Sequence, residues 1–282
     1  MIRIDEMTKG RFGNRLLYYN NLMQLSHSMD TDASCVEWEG SVCFSDLVQH
    51  KESSNETILK LDWNDIVDLD VNSLKKNVDY FIAPYCLHNN FYHLCKTDPR
   101  KFLKLNESYS LSLSDNETSV GIHIRGTDIL GADGNQGREI HTSEYYKKAI
   151  DEVEKNFDNI KYYVCTDDVY FVSFVDTILH INSIGASYNV GSKNHFMDFS
   201  ILSECDVLIA SSSTFVVAAG FVGKENKKII HSMDWIQKNL DHTLWHGYED
   251  PKNIRNWQLS YDNFWVQLYE GGNEFYHTWK FI

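Results

Sequence analysis

The sequence predicts an α/β protein whose sheets are open, mainly parallel and covered by helices on both faces. Short apolar runs with the length of strands alternate with longer segments of helical spacing, and this alternation is typical of βαβ units. Glycine-containing or polar loops separate the two kinds of segment. The composition predicts a chain that folds throughout, because 43% of the 282 residues are hydrophobic and only 3 are proline.

The opening of the chain predicts half of a βαβ unit. Ile2 and Ile4 alternate with polar neighbours, as in a short half-buried strand. A glycine loop follows at residues 10–14, and apolar residues then recur at helical spacing until about Ser28. The next segment is strongly acidic and has a weaker pattern, in which residues 80–83 are the clear strand candidate.

The middle of the chain contains a predicted strand with two different faces. Val120, Ile122 and Ile124 point to one side, because side chains alternate along a strand with period two. His123 and Arg125 therefore share the opposite side. This polar face makes the end of the strand a candidate for a binding site.

The segments after this strand continue the alternation. Each candidate strand is followed by a polar turn and a helical stretch, which is the pattern of a parallel sheet with helices on both faces. The predicted elements are a helix at 142–157, a strand at 162–165, a helix after Asp198, a strand at 206–210, a helix from the serine-rich turn to about Phe221 and a strand at 228–231.

Charge and residue usage argue against several classes of protein. The formal net charge of −14 repels nucleic-acid backbones and anionic membrane surfaces. The longest apolar run, at residues 215–222, is far shorter than the roughly 18 residues of a membrane-spanning helix, and the first residues lack a secretory signal pattern. The six cysteines show no zinc-ribbon spacing, so we expect reduced thiols in a cytoplasmic protein.

Three polar clusters directly follow predicted strands. They are residues 123–128, residues 166–168 and residues 211–214. Ligands of open parallel sheets bind beyond the carboxyl ends of the strands, so the clusters are candidates for one site. An arginine suits a diphosphate, hydroxyl groups at a helix start suit phosphate oxygens, and the Asp167 and Asp168 carboxylates suit ribose or guanine hydrogens. Together they favour a nucleotide ligand.

These clusters resemble the motifs of the inverting α1,6-fucosyltransferases and their rhizobial nodulation relatives. The segments that carry the resemblance are His123-Ile-Arg125-Gly-Thr-Asp128, Asp133, His141, Glu144-Tyr-Tyr146, Thr166-Asp167-Asp168, Asp198 and Ser211-Ser-Ser-Thr-Phe215. Residues 10–16 look like the glycine loop of the more distant α1,2-fucosyltransferases. The motifs occur in the family's order and cover the first 30 residues and roughly residues 120–222.

The resemblance implies a GT-B-like fold of two lobes with mainly parallel, doubly wound sheets. Residues 1–118 would form an N-terminal α/β lobe on the acceptor side, and residues 119–234 a Rossmann-like lobe that holds the donor. The aromatic-rich residues 235–282 would pack across the two lobes. The resemblance also implies GDP-fucose as the donor, a glycan as the acceptor, no cofactor and no metal.

Carried over residue by residue, the resemblance implies a role for each motif residue. Arg125 would bind the β-phosphate and stabilise the departing GDP, Asp128 would orient this arginine, and Asp198 would bind guanine or ribose. Tyr146 corresponds to a donor-contacting tyrosine, and Asp133 to a glutamate suspected of being the general base. The other expected donor contacts are Gly13, Asn14, Asp167, Asp168, Ser212, Ser213 and Thr214.

Two departures from the family pattern bear on the function. Gly126 stands where the relatives have a second arginine, and Ile129 where they have a basic residue, so two positive charges near the pyrophosphate are missing. The resemblance implies an inverting enzyme that moves L-fucose from GDP-fucose to a glycan hydroxyl. A transferase for another GDP-sugar and a non-catalytic nucleotide-sugar or glycan-binding protein are the alternatives.

Several residue assignments also have alternatives. Asp133 is one carbon shorter than the glutamate of the relatives, so His123, Glu139 and His141 are further candidates for the base. For other residues a purely structural role stays open. His123 also fits a hydrogen-bonded interior histidine, and Gly10 and Gly13 also fit a tight turn. A helix cap is the alternative for Asp167, Asp168, Asp198 and the serine run.

Overall fold

The structure is a computed structural model of the 282-residue chain. It describes residues 1–8, 10–53, 57–62, 70–75, 78–83, 97–113, 115–125, 143–166, 187–188, 195–211, 213–220, 222–225, 227–231 and 279–281. The described residues fall into two compact units, residues 1–106 and residues 107–231 with 279–281.

The first unit contains a parallel sheet and one long helix. Its described elements are β1 (Ile2–Ile4), α1 (Phe12–Ser28), β2 (Ala33–Cys35), β3 (Phe44–Ser45), β4 (Ile58–Leu61), β5 (Asp79–Ile82) and β6 (Lys104–Leu105), with short 3-10 helices at Glu39–Val42, Val71–Ser73 and Pro99–Lys101. The parallel strands have the order β2-β1-β5-β4, and β3 pairs with β6 in an antiparallel ribbon. The predicted strand, loop and helix at the start of the chain are confirmed.

The start of α1 differs from the sequence prediction because an aromatic ring is buried there. Phe12 stacks on Phe44 with ring centres 6.3 Å apart and lies 6.0 Å from the ring of Trp38. The helix therefore begins within the predicted glycine loop. Gly10 keeps a positive φ of 74° in the turn, whereas Gly13 lies in the first turn of the helix.

The second unit contains a parallel sheet with helices on both faces. Its described elements are β7 (Thr118–Ile124), α2 (Ser143–Asn156), β8 (Ile160–Thr166), β9 (Ser187–Tyr188), α3 (His195–Glu204), β10 (Val207–Ile209), α4 (Thr214–Gly220), β11 (Lys228–His231) and β12 (Trp279–Phe281). Neighbouring strands run parallel in the order β12-β11-β10-β7-β8-β9. Within this unit the chain forms the central strand β7 first and then adds β8 and β9 on one side. It then adds β10, β11 and β12 on the other side, which is the Rossmann order.

The two faces of β7 carry the side chains that alternation predicts. Val120, Ile122 and Ile124 belong to one buried cluster with apolar residues of α2. Gly121 and His123 face the opposite layer, in which α3 and α4 pack against each other. A Cβ added to Gly121 would come within 2.8 Å of a leucine side chain of α3, so a glycine lets this helix lie close to the strand.

The boundary of α3 corrects one expectation. The helix was expected to follow Asp198, but it begins at His195, so Asp198 lies in its first turn. The earlier start is explained by Phe196, whose ring packs edge-on against Tyr109 with centres 6.2 Å apart. The predicted helix at 142–157 and the later strands agree with the structure to within two residues at each end.

The C-terminal segment is described only in part. Trp279–Phe281 adds a parallel strand beside β11, while residues 232–278 lie outside the described residues. The expected packing of this segment across two lobes stays a prediction. Among the described helices, none is both long and apolar enough to cross a membrane.

Candidate active site

The reversal in strand order places the ends of β7 and β10 side by side. In doubly wound sheets, ligands bind in the crevice at this reversal, beyond the carboxyl ends of the strands. The two strands are in register at Ile122 and Ile209. His123 and Arg125 therefore lie at one strand end and Ser211 at the other, although 88 positions separate His123 from Ser211.

His123 joins these two strand ends. Its Nδ1 lies 2.5 Å from the hydroxyl oxygen of Ser211, and its ring stacks on Phe215 at 5.4 Å with an angle of 28° between the planes. Phe215 in turn meets Phe199 edge-on at 5.5 Å. Since His123 is only 6% exposed, the geometry matches a hydrogen-bonded interior histidine.

Arg125 is the first residue after β7. It is half-buried, and the alternation along the strand puts it on the same side of the sheet as His123. A guanidinium is a planar cation that binds phosphate oxygens in pairs. The crevice therefore has a cation suited to a phosphate group at one strand end.

The serine-rich turn closes the crevice at the end of β10. The backbone N–H of Ser213 donates to the carbonyl of Ser211 at 2.7 Å, and the hydroxyl oxygen of Ser213 accepts from the N–H of Phe215 at 3.3 Å. Ser213 thus caps α4, as the structural alternative anticipated. Its hydroxyl hydrogen is not needed for the cap, and Thr214 beside it is half-buried.

Two tyrosines of α2 support the strand ends from the other face of the sheet. Tyr146 is buried, and its hydroxyl donates to the carbonyl of His123 at 3.3 Å. The hydroxyl of Tyr145 donates to the carbonyl of Ala210 at 2.7 Å. Tyr146, expected to touch the donor, here contacts the backbone beneath the crevice.

Asp198 is brought to the neighbouring strand end by α3. It is 7% exposed, and its backbone carbonyl accepts a hydrogen bond from the thiol of Cys165, at the end of β8, over 3.8 Å. Burial, and to a lesser extent the Asp198 carboxylate, raise the pKa of the Cys165 thiol well above its ordinary value. Asp198 thus lies at the same edge of the sheet as the ends of β7 and β10.

The other expected site residues are only partly visible. Gly13 is buried and Asn14 is half-buried in the first turn of α1, in the first unit. The segments that hold the remaining candidates, Asp128, Asp133, Asp167, Asp168 and Ser212, lie outside the described residues. Among the described side chains, no three His, Cys, Asp or Glu come together as a set of metal ligands.

Sequence reasoning missed the supporting residues of the site. Tyr145 fits the helical periodicity of α2 and carries no motif signal, and Ser211 appears only as the first residue of a serine run. One signal for Tyr145 was present, because a hydroxyl on the apolar face of a helix needs a buried partner. The sequence could not say which of the backbone carbonyls would be that partner.

The sequence comparisons place the chain in a family. Residues 4–242 match the model of glycosyl transferase family 11. The chain belongs to this family. The predicted membership of the fucosyltransferase superfamily is confirmed, and so is the prediction of a glycosyltransferase. No curated protein matched the chain.

Solved structures show that the fold of this family 11 chain is shared with known proteins. A crystal structure of POFUT1 in complex with GDP-fucose has a TM-score of 0.53 at 11% identity, over 80% of this chain and 95% of that one. POFUT1 in complex with GDP gives 0.52 at 11% identity, over 81% and 96%. A second crystal form of POFUT1 in complex with GDP-fucose gives 0.53 at 12% identity, over 81% and 96%. The predicted GT-B-like α/β class with mainly parallel sheets is confirmed.

Proposed function

We propose that this family 11 chain is an inverting fucosyltransferase, which moves L-fucose from GDP-fucose to a hydroxyl of a glycan without a metal ion. The observation that carries the proposal is the meeting of His123, Arg125 and the Ser211–Thr214 turn at the reversal of a Rossmann-ordered sheet. Nucleotides bind at this place in such sheets. A protein of the same fold, POFUT1, was crystallised with GDP-fucose.

The donor pyrophosphate lies at the ends of β7 and β10 in this proposal. Arg125 binds the β-phosphate through paired hydrogen bonds, and the hydroxyls of Ser213 and Thr214 donate to phosphate oxygens. Ser212, between Ser211 and Ser213 in the sequence, is proposed to belong to the same set of contacts. The buried carboxylate of Asp198 accepts hydrogens of guanine or ribose at the end of β8.

His123 and Tyr146 act on the donor indirectly in this proposal. The imidazole is stacked on Phe215 and bonded to Ser211, so it fixes the serine-rich turn. The phenol of Tyr146 holds the carbonyl of His123 from below. Both are therefore positioning residues in this proposal, and His123 is not assigned as the base.

The remaining roles are assigned from the family motifs. Asp128 orients Arg125, Asp133 is the general base, and the Asp167–Asp168 pair joins Asp198 on the nucleoside. Gly13 and Asn14 are proposed as further donor contacts.

The proposed reaction is a single displacement at the anomeric carbon of fucose. The acceptor hydroxyl attacks on the face opposite GDP while the base removes its proton, so the new glycosidic bond has the inverted configuration. The bond to the β-phosphate oxygen breaks, and negative charge grows on GDP. Arg125 stabilises this charge, and a fixed cation is most effective where water is excluded.

Donor binding and acceptor-dependent turnover test the proposal together. GDP, GDP-fucose, GDP-mannose, UDP-glucose and ADP are titrated calorimetrically into the full chain, and GDP release is then followed with and without glycan acceptors. We expect guanine nucleotides to bind selectively, GDP release to rise with an acceptor, and NMR to show an inverted anomeric configuration. Failure to bind any guanine nucleotide contradicts the proposal.

A non-catalytic nucleotide-sugar-binding protein is the second candidate. It is favoured by Gly126, which replaces the second arginine of the related motif and removes one charge from the leaving-group site. Tight binding of GDP-fucose with no GDP release over hours, for every acceptor tried, would support it. Faster turnover with GDP-mannose than with GDP-fucose would instead indicate a different GDP-sugar.

A further inference from the structure

The buried hydroxyl of Tyr145 contacts the backbone directly before the serine-rich turn of the candidate donor site. Tyr145 lies in the first turn of α2 and is buried in the cluster between this helix and the sheet. Its hydroxyl donates to the carbonyl of Ala210 at 2.7 Å and lies 3.2 Å from the carbonyl of Ile230. Ala210 is the residue directly before Ser211, so the hydroxyl holds the backbone at the point where β10 leads into the serine-rich turn.

This contact closes a ring of interactions around the reversal of the sheet. Tyr145 holds Ala210, Ser211 is bonded to His123, and the carbonyl of His123 accepts from Tyr146. The rings of the two tyrosines meet edge-on with centres 5.0 Å apart, which completes the circuit. The end of β7 and the end of β10 are thereby fixed relative to each other by both faces of the sheet.

The hydroxyl of Tyr145 remains a donor over the whole working range of pH. Burial, and to a lesser extent the neighbouring Tyr146, raise the pKa of Tyr145 well above its ordinary value. The phenol therefore stays protonated. Its contact with Ala210 does not depend on pH, unlike a contact made by a histidine.

We propose that Tyr145 is a positioning residue for donor binding, which sets the position of the Ser211–Thr214 turn through its hydrogen bond to Ala210. The proposal rests on the proposed function, since it assigns this turn to the phosphates of the donor. Small displacements of phosphate contacts weaken binding and transfer, because hydrogen bonds to a charged group depend steeply on distance and angle.

The substitution Tyr145→Phe removes only the hydroxyl group. The matched control is Tyr162→Phe, because Tyr162 is buried in the same cluster and its hydroxyl likewise donates a hydrogen bond, to Glu154 at 3.3 Å. Glu154 lies in the last turn of α2, so this bond is away from the carboxyl ends of the strands, where the candidate site lies. Both variants keep the ring that fills the core, so both are expected to fold, and near-ultraviolet circular dichroism checks this.

The measurements are the Kd for GDP by calorimetry and the KM values for GDP-fucose and for the acceptor. We expect Tyr145→Phe to raise the Kd for GDP and the KM for GDP-fucose about tenfold, because a displaced turn no longer offers its hydroxyls to the phosphates at favourable distances and angles. The acceptor KM should change less than about twofold, and the control should match the wild type in all three constants.

The outcomes separate this inference from the function on which it rests. If the wild type binds GDP-fucose and Tyr145→Phe binds it equally well, the positioning role is wrong while the proposed function stands. If both KM values rise together, or if the control loses donor affinity to the same extent, Tyr145 has a general structural role and the inference is also wrong. A wild type that binds no guanine nucleotide overturns the proposed function, and this inference with it.

Discussion

The described residues of the candidate site are of two kinds: some have polar atoms at the edge of the sheet that suit a ligand, and others hold the backbone in position. Arg125, Ser213 and Thr214 lie at the carboxyl edge of the sheet with polar atoms suited to a phosphate. His123 and Tyr146 are buried: the imidazole of His123 contacts the hydroxyl of Ser211, and the hydroxyl of Tyr146 donates to the backbone carbonyl of His123. Substitutions should therefore affect donor binding, chemistry and stability in different proportions.

Arg125 is expected to be required for transfer but not for folding. In Arg125→Ala the charge that grows on GDP is no longer stabilised, so kcat/KM should fall more than tenfold, a barrier change of at least about 1.4 kcal/mol. Arg125→Lys should also be poor, because an ammonium cannot make the paired hydrogen bonds of a guanidinium. Steady-state kinetics measure this effect, and circular dichroism checks the fold.

Lys161→Ala is the control for the loss of one positive charge in the same unit. Lys161 lies at a half-exposed position 3.9 Å from Glu117, and an exposed pair of this kind contributes little. We expect this variant to retain wild-type kinetics. If Arg125→Ala kept more than a tenth of wild-type activity, the assigned role of Arg125 would be excluded.

Asp133 is expected to act in chemistry and not in donor binding. Asp133→Asn should lower kcat by about 10² or more, the usual contribution of a general base, while the Kd for GDP stays unchanged. Kinetics and calorimetry on the same preparation measure the two quantities. Turnover close to that of the wild type would move the base to Glu139 or His141, and weaker GDP binding would place Asp133 at the donor.

At the level of elements, one buried cation links the helices α3 and α4, which also pack against each other. The side chain of Lys227 is fully buried, and its ammonium donates to the carbonyls of Ser203 and Ala219 at 2.6 Å and of Val222 at 3.0 Å. Ser203 and Ala219 lie in the last turns of the two helices, where carbonyls lack partners within the helix. One side chain thus donates to a carbonyl near the C-terminal end of each helix.

Lys227→Met is therefore expected to destabilise the protein strongly. The substitution keeps the length of the side chain but leaves three buried carbonyls without this donor, which should lower the free energy of unfolding by about 3 kcal/mol. Urea denaturation followed by circular dichroism measures the loss. Lys224→Met is the control, because Lys224 forms a half-exposed ion pair with Asp206 at 2.5 Å and should contribute less than about 1 kcal/mol. Equal losses in the two variants would contradict the role of Lys227.

At the scale of the whole molecule, the proposed mechanism uses protein groups instead of a divalent cation to stabilise the leaving group. The pyrophosphate is assigned to Arg125 and to the hydroxyls after β10. Aspartates spaced Asp-x-Asp also occur in the first unit, but Asp32 pairs with Lys51 at 3.1 Å and Asp70 caps a 3-10 helix by accepting from Asn72. In each of these two pairs the described contact is made by the second aspartate.

Transfer activity is therefore expected to survive chelation. Activity in excess EDTA should equal activity in buffer, because no step of the proposed reaction needs a metal ion. The measurement is GDP release with GDP-fucose and an acceptor, before and after the addition of EDTA and then of Mn²⁺. Complete loss in EDTA that Mn²⁺ restores would place the chain among the metal-dependent glycosyltransferases and remove the assignment of the leaving-group charge to Arg125.

Local patterns in the sequence are sufficient to predict the class of the fold and the edge of the sheet at which the candidate site lies. Alternation along β7 separated Val120 and Ile122 from His123, and the polar clusters after the strands marked their carboxyl ends. These features are local, because the period of a strand and the residue types of a turn depend on neighbours a few positions away. They could therefore be predicted without knowing which strands are adjacent.

Which polar groups meet depends on how distant segments pack in three dimensions. The order of the strands places Ser211 beside His123, although 88 positions separate them. The packing of α2 places the hydroxyl of Tyr146 against the backbone carbonyl of His123, whereas the sequence predicted a contact between Tyr146 and the donor. Likewise, Phe12 packs on Phe44, and the helix that begins at Phe12 includes Gly13. The partner of a buried polar group is whichever distant segment packs against it, and no local pattern encodes that choice.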